Sequence, residues 1–104
     1  MEDLSGFVLA RLADDERRFR AGELPHIDEA ERRGRLRIMR TDDQRGLLLV
    51  AGPVEVREER VPVPFPEKAA FLREEAHRQH DVAMLGLVAS VYDAHLDWRE
   101  DWRP

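Results

Sequence analysis

The chain has 104 residues, enough for one small domain with a single core. It is 42% hydrophobic and 38% charged, too apolar to be wholly disordered and more charged than the globular norm. It has no cysteine and a net charge of −5, which excludes disulfides and thiolate chemistry and disfavours bulk attraction to nucleic acid.

Leu4, Phe7, Val8, Leu12 and Phe19 recur at helical spacing, with Arg11, Asp14, Asp15, Arg17 and Arg18 on the other side. This predicts an N-terminal amphipathic helix over about 3–20, capped by Asp3 or Ser5 and stopped by Ala21-Gly22. No basic, then apolar, secretory pattern precedes it. A short helix is expected over about 27–33, ending near Gly34.

The period then becomes two. Leu36 and Ile38 alternate with arginines, Thr41 to Gly46 is a polar turn, and Leu47 to Ala51 is a short apolar run. Strands are expected over about 35–40, 47–51 and 54–59. The prolines at 62, 64 and 66 lack ladder donors, so residues 61–66 read as an extended link.

A long helix is expected over about 67–98, from the spacing of Met84, Leu85, Val88, Val91, Tyr92, His95 and Trp98. Its second half is apolar nearly all round, as in a central helix. Gly86 in its middle costs about 1 kcal/mol relative to Ala, which suggests close packing of another element there. The apolar run Val82 to Tyr92 would span about 16 Å, short of the ~30 Å of a bilayer. No membrane association is therefore expected, and the setting reads as cytoplasmic.

The predicted fold class is α+β: an N-terminal amphipathic helix, a small antiparallel sheet or hairpin, and a long C-terminal helix, in one domain. The rival reading makes residues 27–50 helical and the whole an all-α bundle.

Three constellations are candidates for function. Glu74, His77 and Asp81 fall at i, i+3 and i+7 on the long helix with His80 beside them, types that a divalent metal accepts; as plain surface residues they would only be solvated. Arg33, Arg35 and Arg37 share one face if they lie on a strand. They could read phosphates, or pair across strands with Glu55 and Glu59. His95, Trp98 and Trp102, with Val91 nearby, form a stripe if the helix continues; it would either staple the C-terminus to the domain or form an interface. The two serines, Ser5 and Ser90, lie in no nucleophile elbow, and the six glycines form no phosphate loop. No catalytic residue and no cofactor is implied. Sixteen of the seventeen basic residues are Arg, which coding bias explains more simply than site chemistry; Lys68 stands alone.

Both chain ends resemble a family of short, Arg-rich actinobacterial and actinophage proteins, a domain of unknown function. Met1-Glu2-Asp3-Leu4, Phe7 and Ala10 to Glu16 are similar to its opening. Tyr92, His95, Asp97, Arg99, Glu100, Trp102, Arg103 and Pro104 resemble its closing pattern, with Leu96 where the family has Pro and Trp98 where it has Tyr. Pro25-His26-Ile27-Asp28 echoes a segment from its middle. The resemblance implies an intracellular bacterial or phage setting and a complete chain, and carries no activity. Together the residues point to a small non-enzymatic protein-binding domain, with a homo-oligomer the first expectation. Nucleic-acid binding through the arginine face is the alternative, and a metal-dependent activity near His77 and His80 the third reading.

Overall fold

A computed structural model describes residues 3–43, 45–53 and 62–104. The fold is α+β, with α1 (Leu4–Arg20), α2 (His26–Arg32), β1 (Leu36–Arg40), β2 (Leu47–Ala51), α3 (Phe65–Arg78), α4 (Val82–Ser90) and a final 3-10 turn (Glu100–Trp102). The strands pair antiparallel, with Leu36 opposite Ala51 and Arg40 opposite Leu47. That hairpin removes the all-α alternative. The strand expected over 54–59 lies outside the described residues.

Helix α1 organises the core. Its Asp3 cap accepts from the Gly6 N–H at 2.7 Å, and Phe7, Val8 and Leu12 are fully buried. These side chains meet Ile27 and Ala30 of α2, Leu36 and Ile38 of β1, Leu72 and Ala76 of α3, and Leu85, Val88 and Ala89 of α4. The buried strand residues are alternate ones, as a sheet covered on one face requires. Among the described residues no helix is long and apolar enough to cross a membrane.

The long helix expected over 67–98 is corrected. Residues 65–78 and 82–90 form separate helices. Gln79 takes a left-handed conformation with φ 56°, its N–H bonds to the Glu75 carbonyl at 3.1 Å, and α3 stops. Asp81 then restarts the chain by accepting from the Met84 N–H at 3.0 Å. After α4 the backbone closes a series of three-residue turns, including Tyr92 N–H to Ala89 O at 2.9 Å and Trp98 N–H to His95 O at 3.0 Å. The link expected over 61–66 ends sooner: Pro64 is extended, with φ −64° and ψ 150°, and precedes α3, while Pro66 sits in the helix's first turn, where a missing N–H costs nothing.

Two buried polar groups tie the layers. Asp15 of α1 has no exposed surface and accepts from the His26 N–H at 2.9 Å, the Ile27 N–H at 3.1 Å and the Tyr92 hydroxyl at 2.8 Å. It therefore caps α2 from another helix, since the local Pro25 supplies no side-chain bond. Lys68, the one lysine, is 6% exposed and is paired with Asp28 and Glu31 of α2. Glu31 in turn accepts from the Ile38 N–H at 3.1 Å, on the edge of β1 turned away from β2.

Gly86 is the close approach that its position in an apolar helix suggested. A Cβ there would lie 2.6 Å from the Trp102 carbonyl oxygen. Gly86→Ala gains about 1 kcal/mol of helix propensity but must displace the 3-10 turn, so a net loss of about 1–3 kcal/mol is expected in urea unfolding. A more stable variant would contradict this packing.

Candidate functional site

The Tyr92–Asp15 bond pins the start of the 91–99 turn, and Phe7 of α1 supplies the floor beneath it. The Phe7 ring lies 5.8 Å from His95, 6.2 Å from Trp98 and 5.0 Å from Trp102 between centroids. Trp98 and Trp102 meet edge to face at 5.9 Å. Both indoles are half-buried against their own domain, so they staple the C-terminus. With no helix running through 91–98, the helical stripe conditional on its continuation does not form.

Glu100 clasps this segment. It accepts from Trp98 Nε1 at 2.9 Å and from Arg103 Nε at 2.8 Å, and the Arg103 guanidinium stacks 5.2 Å above the Trp98 ring. The Arg103 bonds, then the Trp98 bond, bring the exposed Glu100 carboxyl down to about 2. The charge that holds the clasp is thus fully present above the ordinary carboxylate range and is lost only as pH falls through about 2.

His95 faces Arg11. Its Nδ1 accepts from Arg11 Nη1 at 2.9 Å and from the Asp97 N–H at 3.0 Å, which places the ring proton on Nε2. Arg11 Nε lies 2.8 Å from Asp14. Across from them the His26 ring meets Tyr92 edge to face at 5.9 Å. Arg11, Asp14, His26, Val91, Tyr92, Ala94 and His95 line a cleft of about 300 Å³. Its walls are mostly apolar, with two imidazoles and one ion pair as its polar groups. The Tyr92 hydroxyl at its base is committed to Asp15. Burial first, then the Asp15 charge and the bond to Asp15, push its pKa well above the usual value, against a smaller opposing effect of Arg11. Beside this cleft Leu96 points into solvent, 98% exposed.

Of the residues singled out in the sequence, Val91 and His95 line this cleft and Trp98 and Trp102 support it. The arginine ladder is corrected. The strand starts at Leu36, after Arg33 has closed α2 and paired with Glu29 at 2.7 Å, and Arg35 donates to the Ser90 carbonyl at 2.9 Å. Of the three, Arg37 alone is on β1, and the expected partners Glu55 and Glu59 lie outside the described residues. The metal-ligand face is corrected too. The chain breaks between His77 and Asp81, Glu74 pairs with Arg78 at 2.5 Å, and Asp81 is committed to its cap. His80 stands in the link, and among the described residues no three ligating side chains converge.

Asp15, Arg11 and His26 were not legible as site residues. One signal was present for Asp15: it falls on the stripe of Leu12 and Phe19, where a helix faces the core. No family model, no curated protein and no solved structure matches the chain.

Tyr92 is the sole tyrosine, so phenolate absorbance reports it alone. Because its folded pKa is raised, its contribution to stability is complete below about pH 10 and is lost as pH rises further. The phenolate signal is expected only as the protein unfolds in alkali, and near pH 10 in denaturant. Ionisation near pH 10 with the fold intact would contradict the buried Tyr92–Asp15 bond.

Proposed function

We propose that the chain is a small non-enzymatic protein-binding domain that pairs with a second copy of itself through the 91–96 turn. One observation carries this reading. Leu96 is 98% exposed beside a largely apolar cleft whose wall includes Val91 and His95. A knob and a hole on one turn are self-complementary, so a two-fold axis between them seats each Leu96 in the other copy's cleft. The turn does not collapse to hide the leucine, because Tyr92 is held by Asp15 and Trp98 by Phe7 and Glu100. The rim carries both signs, Arg11 beside Asp14 and Asp97, so two copies meet without like-charge conflict.

Magnitudes set the strength. Burying one leucine yields about 1.5–3 kcal/mol, and a dimer buries two. The cost of association offsets most of this gain, so the rim contacts must add to it and the complex is weak. Arg33 pairs with Glu29 and Arg35 donates to the Ser90 carbonyl, so the three arginines do not present one ladder, which favours the protein-binding reading over the nucleic-acid one.

Sedimentation equilibrium from about 10 μM to about 1 mM tests the proposal. A reversible monomer–dimer transition is expected, and Leu96→Asp should abolish it while leaving the melting temperature within about 2 °C, as for an exposed site. A wild-type monomer throughout, or an unchanged dimer in Leu96→Asp, would overturn it.

A further inference from the structure

A second cleft, of about 290 Å³, lies between α2, the outer edge of β1 and the segment leading into α3. The charges around it are unevenly matched. Lys68 is held by Asp28 and Glu31, and Arg40 donates to Glu67 at 2.8 Å. Arg32 and Arg37 also line the cleft, and neither guanidinium has a carboxylate partner among the described residues. This is unusual here: ten of the described arginines form side-chain ion pairs or hydrogen bonds, on a chain with net charge −5. The lining also has apolar side chains, Ile38, Met39, Pro62 and Val63.

We propose that this cleft binds a small organic anion, with its head on Arg32 and Arg37 and an apolar body against Met39 and Pro62. Guanidinium forks match carboxylate and phosphate oxygens in pairs, and two forks favour a doubly charged head, so the preferred class is a phosphate monoester. The volume admits a small molecule and is too small for a folded partner. Lys68 acts as a positioning residue. Its ammonium neutralises the two α2 carboxylates that would otherwise repel the anion, and it holds the wall in place through Glu31 and the Ile38 N–H. Its compact ammonium also suits a site 6% exposed, where a longer planar guanidinium would have to repack the core.

The test is a titration of the full chain followed by amide chemical shifts, with phenyl phosphate, benzoate, inorganic phosphate and benzyl alcohol as probes. Phenyl phosphate is expected to saturate at about 1 mM or below, shifting the Arg37, Met39 and Lys68 amides. Benzoate should bind more weakly for want of the second charge, inorganic phosphate more weakly for want of the body, and benzyl alcohol not at all. The double variant Arg32→Gln, Arg37→Gln should weaken phenyl phosphate at least about tenfold, and Arg20→Gln, which does not line the cleft, should not. No saturable shift up to about 10 mM, equal binding of benzyl alcohol, or unchanged affinity in the double variant would each overturn the proposal. The dimer test above uses another face, so either result stands without the other.

Discussion

Asp15 places a carboxylate in the centre of the core, where a polar group without partners costs several kcal/mol. Three donors meet it, two from the first turn of α2 and one from Tyr92. Helix α2 has seven residues, too few to persist alone in water. Its N-terminus is held by Asp15 and its acidic side by Lys68, so two buried charges from two other helices fix one short element. The same carboxylate sets the start of the 91–99 turn. One side chain thereby determines the placement of α2 and of the C-terminal segment relative to α1.

Both clefts inherit this arrangement. Helix α2 stands between them, giving His26 to one and Arg32 to the other. The first is bounded by elements that Asp15 joins, and the second by α2 and β1, which Glu31 joins, and by the segment leading to Lys68. Buried ionic groups of this kind are seldom the main source of stability, since apolar replacements often serve as well. Their effect here is geometric: they allow one register of α2 against α1 and α3. The Trp pair plays the equivalent part for the tail, with Glu100 and Arg103 closing it over Phe7.

Regular periodicity made part of this legible in the sequence. The α1 stripe and the alternation through Leu36 and Ile38 have strong periods, and their elements fall within a residue or two of expectation. The break at Gln79 was hidden because no glycine or proline marks it. A left-handed glutamine and an aspartate cap end and restart the helix, and each is common inside helices too. Asp81 looked like a metal ligand for the same reason: a cap and a ligand are both a carboxylate on a helix. The prolines before α3 exclude strand pairing, and the same residues also open helices well, so the end of the link and the start of α3 share one signal. Asp15 reads as part of the polar side of α1, because charge suggests solvent. Its donors come from 11, 12 and 77 residues away, and nothing local announces them.

The most direct test is Asp15→Asn, measured by urea unfolding together with amide hydrogen exchange. An amide keeps the shape but turns an NH2 group toward donors that need an acceptor. The account predicts a loss on the order of 3 kcal/mol and fast exchange at the His26 and Ile27 amides, while the β1–β2 hairpin stays protected. Stability within about 0.5 kcal/mol of the parent, with α2 still protected, would show that the fold does not depend on this carboxylate.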